Sequence, residues 1–76
     1  MELYVACKET NDRIVYVETI AEARETIASY EAEDKRDDTY TEDFYCITDG
    51  EWHELTDEEI EVIEEMSAEE IEGFTF

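Results

Sequence analysis

The last forty residues of this chain hold sixteen Asp and Glu side chains and no Lys or Arg. The first thirty-six hold nine acids and all five bases, so the two segments contribute −16 and −4 to a formal net charge of −20. Like charges at this density repel and destabilise a compact state, most of all at low salt. A core must therefore be assembled from the apolar residues that stand between the acids. Enough of them are present: 42% of the chain is apolar and 12% aromatic, richer than a disordered acidic tail. Seventy-six residues suit one domain, 1–76, and a domain of this size buries only roughly 60–65% of its unfolded surface.

The charge argues against DNA, RNA and anionic lipid as direct ligands and points to a basic partner. No run approaches the ~20 apolar residues that cross a bilayer. The start, Met1-Glu2-Leu3-Tyr4, lacks the basic flank and apolar centre of a leader. The expectation is a cytoplasmic protein with no membrane contact. Two plainer accounts of the acidity stand beside function, namely salt adaptation and solubility. Glu outnumbers Asp 18 to 7 and aromatics are plentiful, which weighs against salt adaptation.

Residues 3–7 and 14–17 are apolar runs separated by Glu9-Thr10-Asn11-Asp12, a turn-forming stretch, and read as a β-hairpin. Pairing Lys8 with Arg13 puts Val5, Cys7, Ile14 and Tyr16 on one face and Tyr4, Ala6, Val15 and Val17 on the other. Thr19 with Glu22 fits a capping box. The helix that follows, 20–35, carries Ile20, Ala23, Ile27 and Tyr30 as one stripe and ends on Lys35 and Arg36, which suit the helix dipole. Phe44-Tyr45-Cys46-Ile47 reads as a strand. Asp49-Gly50 after it signals a two-residue turn with positive φ, so a second hairpin is expected, 43–48 with 51–55.

Thr56 with Glu59 and Ser67 with Glu70 are two further capping boxes, predicting short helices at 57–66 and 68–72, with Gly73 ending the second. The architecture expected is α+β, ββαββα, with two hairpins in one antiparallel sheet packed on a helix and acidic C-terminal helices.

On a wheel of 57–66, Val62, Met66, Ile63 and Ile60 fill an apolar arc of about 160°. Asp57, Glu58, Glu61, Glu64 and Glu65 fill a separate arc of about 120° with no lysine four residues away. Neighbouring carboxylates lie about 5–6 Å apart and cost the helix a few tenths of a kcal/mol per pair. Carboxylates so spaced resemble the phosphates of duplex DNA, one charge per roughly 1.7 Å of axis. With Glu69 and Glu72 from the following helix they form the candidate partner-binding surface. Tyr40, Trp52, Phe74 and Phe76 form a candidate aromatic interface, through which the chain could dimerise.

Other chemistry is not signalled. Cys7 and Cys46 lack CxxC spacing and sit in strand-like runs, as small buried hydrophobes do, although a bridge is open if the strands are neighbours. His53 is the only histidine, so no zinc set forms. The acids at 37, 38, 42 and 43 lack EF-hand spacing. The two glycines, Gly50 and Gly73, make no phosphate loop. No catalytic residue, cofactor or metal is expected, and the chain reads as non-enzymatic.

The run Glu18-Thr19-Ile20-Ala21-Glu22-Ala23, then Tyr30-Glu31, Asp34-Lys35, Thr39-Tyr40 and Asp43-Phe44-Tyr45 with Ile47, resembles small open reading frames of phages and mobile elements in Gram-positive bacteria. That resemblance spans residues 13–48. In size and charge the chain also resembles phage-encoded inhibitors of host defence. These are anti-restriction proteins, anti-CRISPR proteins and uracil-DNA glycosylase inhibitors, several of which mimic nucleic acid. This second likeness is one of physical type and carries no residue across. It implies an acidic inhibitor that blocks a basic DNA- or RNA-binding protein of the bacterial host. The alternative is a non-enzymatic interaction or assembly protein, homodimeric through its aromatics, whose acidity serves solubility.

Overall fold

The computed structural model describes residues 1–75. Its elements in order are strands β1 (Leu3–Cys7) and β2 (Arg13–Val17), helix α1 (Ile20–Arg36), strand β3 (Tyr45–Asp49), and helices α2 (Asp57–Ile63) and α3 (Ala68–Glu72). The strands form an antiparallel sheet in the order β2-β1-β3. The chain is α+β as expected, but its order is ββαβαα. The second hairpin is reduced to a single bridge between Thr48 and Glu54, with Leu55 N donating to Ile47 O at 2.9 Å. The strand that pairs fully with β3 is β1.

The first hairpin forms, in a register one residue from the expected one. Leu3 faces Val17, Tyr4 faces Tyr16 and Val5 faces Val15; a bulge then sets Ala6 against Arg13. A one-residue slip exchanges the two faces of a strand. Leu3, Val5 and Val17 therefore point into the core, while Tyr4 and Tyr16 share the opposite face. The loop explains the slip. Cys7 N donates to Asp12 O and Asn11 N to Cys7 O, and Asn11 is left-handed at φ 60°, so the turn closes on Cys7 and Asp12 rather than on Lys8 and Arg13.

Thr19 caps α1 by accepting from Glu22 N at 3.1 Å, while the Glu22 carboxylate accepts from Glu18 N one residue beyond the box. The helix buries Ile20 and Ala23 and rests Ile27 and Tyr30 against the core margin. Both capping boxes of the C-terminal helices are complete. α2 stops at Ile63, shorter than the predicted 57–66. Val62, assigned to the apolar arc, is exposed, whereas Ile63 and Ile71 are fully buried. The core is one cluster joining Leu3, Val5 and Val17 of the first hairpin, Ile20 and Ala23 of α1, Ile47, Leu55, and Ile63 and Ile71. All three helices thus lie on the same side of the sheet.

Cys7 and Cys46 are buried and free. Their strands are neighbours, yet Cys46 faces Ala6 and Cys7 faces Tyr45. Successive residues of a strand point to opposite faces, so the two thiols lie on opposite sides of the sheet and a bridge is excluded.

Candidate interaction surface

The helices α2 and α3 carry most of the predicted acids, and each is nucleated by a cap and holds one fully buried isoleucine, Ile63 or Ile71. Thr56 Oγ1 accepts from Glu59 N at 3.2 Å, and the Glu59 carboxylate accepts from Thr56 N at 2.9 Å. Ser67 and Glu70 repeat the arrangement, at 3.3 and 3.4 Å. Glu59 and Glu70 are thereby committed to the backbone. Glu59 also meets His53 Nε2 at 2.9 Å. That carboxylate holds the imidazole proton, raising the His53 pKa, while the Thr56 amide and then His53 lower that of Glu59.

Of the predicted partner-binding residues, Asp57, Glu58, Glu61, Glu65, Glu69 and Glu72 are exposed. Among the described residues none of these six has a Lys, Arg or His within 4.0 Å. Glu64 departs from expectation: it is half-buried and bonds the Arg24 guanidinium. A base forty positions upstream neutralises it, a pairing that helical i,i+4 reasoning does not reach. The candidate residues are thus five carboxylates on two short consecutive helices and Glu65 in the turn between them, and their chemistry is electrostatic. They offer acceptors and negative charge.

The four aromatics do not form one interface. Tyr40 follows α1 and stacks beneath Lys35 Nζ, 4.6 Å from its ring centroid. Nearby, Tyr45 of β3 donates to Asp34 of α1 at 2.7 Å, and that hydrogen bond pushes the phenol pKa to about 12. Trp52 sits at the opposite end of the sheet, in the loop after Asp49, which faces Leu3. Phe74 is half-buried and packs on the core. Phe76 lies outside the described residues. Sequence reasoning missed Arg13, which stacks on both Trp52 and Tyr4. Strand alternation gives no signal for it, since Arg13 and Tyr16 are three residues apart; the bulge that sets Arg13 against Ala6 brings it to the face of Tyr4.

Among the described residues no group of three or more His, Cys, Asp or Glu is arranged to hold a metal ion, and no helix is long and apolar enough to cross a membrane. Compared with protein-family models, curated proteins and solved structures, the chain matches none.

Proposed function

We propose that this chain is an acidic inhibitor that mimics nucleic acid and occupies the binding channel of a basic DNA- or RNA-binding protein of bacterial host defence, acting inside the cell without a cofactor. The observation that carries the reading is the set of carboxylates on α2, α3 and the turn between them: Asp57, Glu58, Glu61, Glu65, Glu69 and Glu72 are exposed and free of basic partners. Like charges at i,i+3 and i,i+4 destabilise a helix, and a basic channel would turn that repulsion into attraction. Such a surface also steers its target into encounter, raising association rates at low salt.

The test is capture of basic nucleic-acid-binding proteins from bacterial lysate at 0.05 and 0.5 M salt, followed by displacement with duplex DNA. Capture at low salt, lost at high salt and competed by DNA, is the expected result. Folding should respond oppositely. Screening shortens the Debye length from about 30 Å at 0.01 M to about 8 Å at 0.15 M, so Tm should rise while binding weakens. The variant Glu58→Lys, Glu61→Lys, Glu65→Lys keeps the core residues and should lose the target. A folded triple variant that still binds it would end the mimicry reading.

A further inference from the structure

The helices cover one face of the sheet. The other face carries a layer of its own. The Arg13 guanidinium carbon lies 4.0 Å from the Trp52 ring centroid and 4.6 Å from that of Tyr4. Tyr4 meets Tyr16 edge to face at 5.6 Å. Ala6, Cys46 and Thr48 of this face are buried. Outward, Trp52 is 50% exposed, Tyr16 52% and Ile14 44%. One carboxylate borders the rings, that of Glu2, which accepts from Tyr4 Oη at 2.8 Å, and Glu51 precedes Trp52 in its loop.

Trp52 is left-handed at φ 68°, whereas neither glycine has positive φ. A bulky residue in this region is strained, and strain of this kind clusters where a side chain must be presented. Glycine or asparagine would hold the turn with less strain. The loop instead displays an indole.

We propose that this face is a second docking surface, occupied by an arginine-bearing segment of the basic partner, whose guanidinium groups stack on the exposed sides of Trp52 and Tyr16 beside Glu2 and Glu51. The inference rests on the reading above that the partner is basic. Charge complementarity selects the occupant. A second copy would bring another −20, and nucleic acid or anionic lipid would add further negative charge. Arg13 displays the fit, since its guanidinium already lies against two rings of the patch. Arginine is preferred to lysine because its planar, weakly hydrated head stacks on aromatic faces.

Trp52 is the only tryptophan, so its fluorescence reports this face alone. The probes are deca-arginine and deca-lysine peptides at 0.15 M salt. At saturation deca-arginine should shift the emission and at least halve acrylamide quenching, and deca-lysine should do less at equal occupancy. Trp52→Gly relaxes the backbone and should keep the melting curve while weakening labelled deca-arginine about tenfold. Tyr16→Ser, at an exposed position, should weaken it about threefold, which keeps the test alive if the first variant unfolds. Bound deca-arginine that leaves Trp52 fully open to acrylamide would overturn the inference and leave the acidic-helix reading standing. Absence of any deca-arginine binding by the folded chain would sink both. Protection of Trp52 that grows with the chain's own concentration, without peptide, would identify a second copy as the occupant and refute the proposal.

Discussion

Replacing Asp38 by glycine should stabilise this protein. α1 ends in a Schellman arrangement: Asp38 N donates to Lys35 O at 3.3 Å, Thr39 N donates to Asp34 O at 2.8 Å, and Asp38 between them is left-handed at φ 59°. Glycine is the usual residue at this position. The left-handed conformation costs an L-residue roughly 1–2 kcal/mol, with Asp among the side chains that tolerate it best. Glycine removes that strain and gives back about 0.5–1 kcal/mol through its freer unfolded chain. Asp38 also places a negative charge at the negative pole of a helix, worth about 0.3–1 kcal/mol against stability. The balance is a gain of about 0.5–1.5 kcal/mol. At about 4–8 °C per kcal/mol for a domain of this size, Tm should rise by about 2–12 °C.

Thermal and urea melts followed by circular dichroism measure this, with Asp38→Asn as the control that removes charge and keeps a side chain in the left-handed region. The expected order of stability is Asp38→Gly, then Asp38→Asn, then the parent. If Asp38→Asn equals Asp38→Gly, backbone strain contributes nothing at this cap. An Asp38→Gly variant less stable than the parent would refute the reasoning outright.

Two further outcomes follow from the titrating groups. Glu59 raises the His53 pKa, so this pair adds stability that is fully present below the ordinary histidine value near 6.5 and is lost as pH rises through the folded-state value. Glu59 is itself lowered, so its share is present above the ordinary carboxylate value and is lost as pH falls through its folded-state value. The Tm difference between the parent and His53→Gln should therefore be largest near pH 5–6 and vanish by pH 9; a constant difference would remove the pair from the account. The thiols should also separate: hydrogen bonds from Thr10 lower the Cys7 pKa, whereas burial raises that of Cys46. Brief iodoacetamide labelling at pH 8, read by peptide mass spectrometry, should mark Cys7 first, and equal labelling would contradict this.

Local signals in the sequence carried most of the helices. Thr19, Thr56 and Ser67 cap helices that begin at Ile20, Asp57 and Ala68, because a cap acts over three residues and needs no tertiary information. The sheet was less legible. Whether 13–17 turns Tyr16 or Val17 inward depends on a loop that closes with Asn11 in the left-handed region, and a single residue of loop length reverses the outcome. Asp49-Gly50 looked like a two-residue turn, but the loop runs to His53, with Asp49 Oδ1 accepting from Glu51 N and His53 N, so no second long strand follows. Of the candidate surface, six of seven acids are exposed as read. Glu64 was not, since its partner Arg24 is a non-local neighbour. The stacking of Arg13 between Tyr4 and Trp52 depends on the register that the sequence left open.

The acidic surface depends on very little apolar anchorage. Helices of seven and five residues are too short to persist alone. Within α2 the pairs Asp57–Glu61 and Glu58–Glu61 repel, as does Glu61–Glu65 just beyond it, at about 0.2–0.5 kcal/mol each and roughly 0.6–1.5 kcal/mol together. Against this stand two complete capping boxes, each worth about 1 kcal/mol, and the fully buried Ile63 and Ile71, each worth about 1.5–3 kcal/mol. The anchors outweigh the repulsion, so the carboxylates are held in place without a lysine among them. An interspersed lysine would stabilise α2 for no loss of packing, because the exposed positions 58, 61 and 65 lie clear of the core. That none is present from residue 37 onward is the feature that solubility explains least well. Interspersed charges of both signs also keep a surface soluble, whereas a basic channel is matched only by a surface of one sign.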